Sequence, residues 1–193
     1  YEGNKGFFDS IAGPASFDWE NENLEKVTET IIKKYNAEIH SQSAIEGILE
    51  LRDEYDLKPG DIENIEVEIF DVAYHIIGGG EEGSKMDIST KEEADHSLPY
   101  LLAIALFDGK VTPEQYDIKK YNTRSVKDLM QKIEIRPASE FSDQFPGKMN
   151  VNIEVKIIND KKYTRSKSDY EGFTTKEAGW DMLEDKFKTL SNE

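Results

Sequence analysis

Residues Asp95–Gly109 read DHSLPYLLAIALFDG, the longest apolar run in a chain that is otherwise heavily charged. A run of this length, closed by a glycine where a left-handed C-cap falls, predicts a helix buried on nearly all sides. Pro99 stands near its start, where a missing N–H costs little. Asp95, His96, Ser97 and Tyr100 cluster at that same end. The cluster has two readings. It is a titratable group at the mouth of a buried helix, or Ser97 caps the helix and Tyr100 packs with its hydroxyl satisfied.

Outward from this run, Thr90 and Glu93 have capping-box spacing, so a helix starting there and kinking at Pro99 is expected. Thr112-Pro113-Glu114 reads as an N-cap, a first-turn proline and a first-turn acid, opening a short helix to Asp117. Ser125–Gln131 is a second short helix leading into a strand at Lys132–Arg136. Upstream, Ile62–Asp71 alternates apolar and acidic residues, the pattern of a strand with one wet face. Ala44–Tyr55 predicts a helix with Ile45, Ile48, Leu49 and Leu51 inward and a capping box at Ser43 and Glu46. Val27–Lys34 is β-branched and reads as a strand, with a helix as the competing assignment. Gly78–Gly83 is a surface turn: two glutamates and the lack of a Lys-Ser/Thr ending argue against a phosphate cradle.

Asn150–Ile158 and Lys161–Arg165 flank Asn159-Asp160 and predict an antiparallel hairpin. Pro137–Gly147 reads as a polar loop. Thr174–Leu190 is amphipathic, with Ala178, Met182, Leu183 and Phe187 on one face and Thr174 or Thr175 as its cap. The irregular alternation of strands and helices favours an α+β fold, with a mostly antiparallel sheet and helices packed on one face.

The 193 residues include 24 Lys and Arg against 40 Asp and Glu, a formal charge of −16. That balance argues against a nucleic-acid surface, which needs basic excess to neutralise phosphates. Without cysteine, disulfides and thiolate-held metals are excluded. The longest apolar run is too short to span a bilayer and no signal peptide is visible, so no membrane partner and a cytoplasmic setting are expected. The chain opens on Tyr1 rather than Met, as a fragment would. Phe7, Phe8, Phe17 and Trp19 give the first segment too many aromatics for a free tail.

Two stretches strongly resemble the 2-methylcitrate dehydratase (MmgE/PrpD) family, and two more are similar to parts of it. Asp95–Asp117, DHSLPYLLAIALFDGKVTPEQYD, is similar to that family's serine-leucine-proline-tyrosine helix with its A-x-x-L-x-x-G-x-(V/L)-T continuation. Ala37–Gln42, AEIHSQ, running into AIEGILEL, resembles its histidine loop and following helix, in the form found in the dehydratases themselves. Asp185-Lys186-Phe187 resembles part of its C-terminal helix, and Tyr1–Gly13 the end of its first domain. Two departures stand out: Asn36 replaces a common proline, and Ala94 a basic residue found in some members.

The resemblance implies a partition into a remnant of a preceding helical domain (1–23), an α+β lid-type domain (24–173) and a returning C-terminal helix (174–193). It implies a cofactor-independent, metal-free lyase that removes a proton α to a carboxylate of a di- or tricarboxylate and expels water; the fragment alone is expected to be inactive. His40 and Tyr100 are the implied catalytic residues; His96, Arg165 and Lys167 the implied substrate-binding ones. Lys33-Lys34 and the 161–167 cluster are the local cations a tricarboxylate would need, against a reading as solvated strand ends. The implied partners are the missing N-terminal helical domain and a second copy in a homodimer. Within the family, epimerisation of an amino-diacid or decarboxylation of cis-aconitate are alternatives; a non-catalytic interaction domain is the rival from another class.

Overall fold

The structure, a computed structural model, describes residues 18, 20, 21, 25 and 30–191. The chain divides after Thr30 into two units, and the fold described here is that of the second, Ile31–Glu193. The packing expected of Phe7, Phe8, Phe17 and Trp19 lies outside the described residues, as do residues 27–29 of the strand expected at Val27–Lys34. The described part of that stretch, 30–34, forms no strand. It is tied by Ile32 N–H donating to Gly172 O at 2.8 Å.

Helix α1 runs over Gln42–Tyr55 and strand β1 over Ile62–Ile69. A short turn of helix, α2 (Asp71–Ala73), continues into one π-helical turn at Tyr74–Gly78, which carries His75. Next come α3 (Lys91–Asp95), α4 (Leu98–Asp108), a 3-10 turn at Pro113–Tyr116, α5 (Ile118–Tyr121) and α6 (Arg124–Met130). Strand β2 (Ile133–Pro137), helix α7 (Ser139–Ser142), strands β3 (Val151–Ile157) and β4 (Lys162–Lys167) and helix α8 (Trp180–Ser191) complete the order.

The sheet runs β2-β1-β3-β4. β1 pairs with β3 and β3 with β4 antiparallel, whereas β1 and β2 are parallel, so the sheet is mixed with two of its three junctions antiparallel. The parallel junction follows from what separates the two strands: the whole α2–α6 stretch forms the crossover, as parallel neighbours require. Ile65, Val67 and Ile69 of β1 and Val151, Ile153 and Val155 of β3 point into the core. Their alternates carry Glu66, Glu68 and Glu154 on the opposite, wet face, where Lys162 meets Glu154 at 2.6 Å. One face is therefore left for helices. Helix α1 lies over β3 and β4 and packs on α4, which also packs on α6.

The expected kinked helix is two helices. Thr90 and Glu93 form the full capping box of α3, which ends at Asp95. Ser97 then starts α4 afresh by accepting the Tyr100 N–H, with Pro99 in the first turn. Nine consecutive residues, Leu98–Leu106, are buried, and Gly109 closes the helix at φ 69°. The α1 start differs from expectation. Helix α1 already begins at Gln42, so Ser43 sits inside it and the Glu46 carboxylate is taken by lysines instead of the helix terminus. At the far end, Thr174 and Thr175 do not cap a helix, because Phe173 and Lys176 pair in a β-bridge and α8 starts only at Trp180. Met182 and Leu183 are half-buried, but Phe187 is exposed.

Candidate functional site

The 35–42 loop is organised by one buried amide. Gln42 Oε1 accepts the Tyr35 N–H at 2.9 Å, while its Nε2 reaches the carbonyls of Tyr35, Ala37 and Glu38 at 3.2–3.4 Å. Ser41 Oγ donates to Glu38 O at 2.6 Å, so it closes the loop and leaves the helix terminus uncapped. Tyr116 adds an outer brace by donating to Asn36 O, with Asp95 Oδ1 3.3 Å from the same hydroxyl. Buried polar groups that are satisfied this fully hold a loop in one conformation.

This scaffold presents His40. Its Nδ1 lies 2.7 Å from Glu38 Oε1, and its backbone N–H donates to Glu38 Oε2 at 2.8 Å. The ring meets Phe70 edge-on at 5.6 Å and Phe145 at 5.7 Å, and these two rings stack on each other at 4.6 Å. Phe70 directly follows β1, and Phe145 lies in the segment after β2. Ala138 N–H donating to Ile69 O and Asp71 N–H donating to Ser142 Oγ bring the two together. The His40 side chain retains 14% exposure, a narrow opening for a titratable ring.

The other residues singled out in the sequence lie elsewhere. Tyr100 is fully buried, and its hydroxyl donates to Gln115 O. Burial first, then the nearby Asp108 charge, push that phenol above its ordinary range. His96 follows α3 half-exposed, with Nδ1 3.1 Å from Glu92 O and 3.5 Å from Asp95 Oδ2. It borders a cavity of about 410 Å³ together with Glu82, Asp87, Glu92 and Glu93, an acidic setting for a carboxylate ligand.

Arg165 and Lys167 project from β4 onto α1. Arg165 pairs with Glu54 and lies 3.4 Å from Glu50, and Lys167 reaches Glu46 at 2.6 Å and Glu50 at 2.5 Å. Among the described residues, no hydrogen bond, ion pair or ring contact joins His40 to Tyr100, His96, Arg165 or Lys167. Nor does any group of three or more His, Asp or Glu side chains among them have the arrangement to hold a metal ion. A second cavity, of about 460 Å³, lies beside the loop between Tyr35, Val111, Pro113 and α8, lined in part by Lys34 and Lys186.

Sequence reasoning missed Glu38, Gln42, Phe70 and Phe145. Glu38 and Gln42 stand within AEIHSQ itself, and a carboxylate two residues before a histidine was the available signal. The two phenylalanines come from remote segments and left none.

The sequence profile of the MmgE/PrpD C-terminal domain matches residues 35–193, which takes in the histidine loop, the sheet and α8. The chain belongs to the MmgE/PrpD family. Its similarity to individual MmgE/PrpD proteins is modest. It is 26% identical over 160 residues to the mitochondrial 2-methylcitrate dehydratase of Yarrowia lipolytica, covering 79% of this chain and 30% of that protein. It is 26% identical over 133 residues to the 2-methylcitrate dehydratase of Escherichia coli K12, covering 66% of this chain and 26% of that one. The chain thus spans under a third of the length of these relatives. Among the described residues no helix is long and apolar enough to cross a membrane.

Proposed function

We propose that this chain is part of a lyase that dehydrates 2-methylcitrate or a similar tricarboxylate, with His40 as its acid–base group. The observation that carries the reading is the placement of His40. It is a partly open imidazole, clamped by Glu38 and flanked by Phe70 and Phe145, within the stretch that matches the family. Dehydration β to a carboxylate needs a base to take the α-proton; the C–H electron pair then forms the C=C bond as hydroxide leaves with a proton from an acid. A rigidly held imidazole suits the first task, since small misplacements of such a group are costly.

The substrate's own negative charge sets the second requirement. Arg165, Lys167, Lys34 and Lys176 are already matched to carboxylates within this chain. On this reading, the cations that hold the substrate come from the portion of the protein that the relatives possess and this chain does not span. That portion would complete the site, and the chain alone is inactive. The test is His40→Gln in the whole protein, assayed with 2-methylcitrate. Turnover is expected to fall about a hundredfold or more with an unchanged melting temperature. Turnover near that of the unaltered enzyme would remove His40 from the chemistry and overturn the reading.

A further inference from the structure

We propose that Glu38 is the positioning residue of His40, fixing the neutral imidazole as the Nδ1–H tautomer and so leaving Nε2 as a free lone pair. The proposal rests on the lyase reading for its catalytic meaning, but its structural content stands on geometry alone. An ionised carboxylate can only accept hydrogen bonds. Glu38 Oε1 at 2.7 Å from Nδ1 therefore demands a proton on that nitrogen. Glu38 Oε2 takes the His40 backbone N–H at 2.8 Å, so one side chain grips the main chain and the ring of the same residue. Rotation of the ring about its Cβ–Cγ bond would break the first bond.

The remaining nitrogen, Nε2, has no hydrogen-bond partner among the described residues. In the Nδ1–H form it is unprotonated, which makes it competent to take a proton and unable to give one until it has done so. When Nε2 takes up the proton, positive charge spreads over the ring and the adjacent carboxylate stabilises it. Glu38 thereby does more than cap the 3-10 turn at Ile39–Ser41, a role whose loss alone would weaken the loop without selecting a tautomer. Its own carbonyl, which receives Ser41 and Gln42, belongs to the backbone and survives any substitution of the side chain.

Nitrogen NMR on this chain labelled at its three histidines tests the tautomer without substrate, at a pH high enough for every ring to be neutral. His75→Gln and His96→Gln assign the signals. His40 is expected as Nδ1–H. Glu38→Ala should turn it to Nε2–H, the form an unconstrained histidine side chain favours, and Glu38→Gln should do the same with the loop intact, because its single amide oxygen goes to the His40 N–H and its NH2 then faces Nδ1. In the whole protein, Glu38→Ala should lower kcat by about ten- to a hundredfold with KM little changed, and Glu38→Gln should share the loss. Thermal melts of both variants separate these effects from unfolding, and the Gln variant keeps the loop's acceptor if the Ala variant fails to fold. An Nε2–H signal in the unaltered chain overturns the proposal whether or not His40 is catalytic. So does a kcat in Glu38→Ala equal to that of the unaltered protein.

Discussion

Glu46 carries a different kind of commitment from Glu38. Its side chain is 4% exposed, with Lys167 and Lys176 on Oε1 at 2.6 and 2.9 Å and Lys34 and the Glu171 N–H on Oε2, each at 3.2 Å. Burial alone would raise its pKa. The hydrogen bonds from Lys167, Lys176 and Glu171 and the charge of Lys34 reverse that and hold it at about 2. Because the folded value lies below the ordinary 4.5, the stability this group supplies is complete above that pH and drains away as pH falls towards 2. Glu46→Gln should cost about 2 kcal/mol near neutral pH, since it takes the shared charge from Lys167, Lys176 and Lys34 while Lys167 keeps Glu50 and Lys34 keeps Glu171. It should also flatten the acid limb of a stability-against-pH curve from urea melts. Equal acid sensitivity in both proteins would contradict this. Glu46 also shows why Ser43 misled the sequence reading. A capping box is recognised by local spacing, but apart from Lys34 the partners that won this carboxylate arrive from β4 and the loop after it, more than a hundred positions along the chain. At His40 the same limit applied: the loop and its histidine were legible, while the rings beside it were contributed by distant segments.

Among the elements, those with local causes were read correctly. The Thr90–Glu93 box, the Ser97 cap and the Gly109 stop all depend on residues within one turn of each other. The π-helical turn at Tyr74–Gly78 and the parallel pairing of β1 with β2 depend on tertiary packing, and no periodicity announced them. Gly109 also has a distant neighbour. A Cβ there would stand 2.9 Å from the Arg52 guanidinium, which is fixed by donating from Nε to Leu106 O at 3.1 Å. Gly109→Ala combines the left-handed penalty with displacement of that clamp, so a loss of about 2 kcal/mol in urea denaturation is expected. Gly172→Ala should be worse. Its φ is 109°, and a Cβ would fall 2.2 Å from Ile32 O, on the contact that ties the incoming chain to the domain. If either variant melts with the unaltered protein, the close approach is not real.

At the scale of the molecule, the α+β class and the single covered sheet face were readable from the alternating strands and the uniformly apolar α4. The expected apolar stripe of the last helix is only partly used, because Trp180 and Phe187 keep 81% and 71% of their surface in water. Exposed side chains contribute little to a fold, so Trp180→Ser and Phe187→Ser should each shift this chain's stability by less than about 0.5 kcal/mol. If the larger portion of the protein seats on α8, the same changes should weaken association of the two portions by about tenfold in titration calorimetry. Unchanged affinity would place that contact elsewhere. The sheet order carries a consequence for how the chain reaches its fold. Ile65 of β1 must find Ile133 on one side and Val155 on the other, so neither junction can close until the intervening helices have gathered the chain. Loop-closure entropy then sets the order of events: the crossover helices and the β3–β4 hairpin condense first, and the central strand is zipped in late. Leu102→Ala in α4 should accordingly slow refolding in stopped-flow experiments, while Ile135→Ala in β2 should chiefly hasten unfolding.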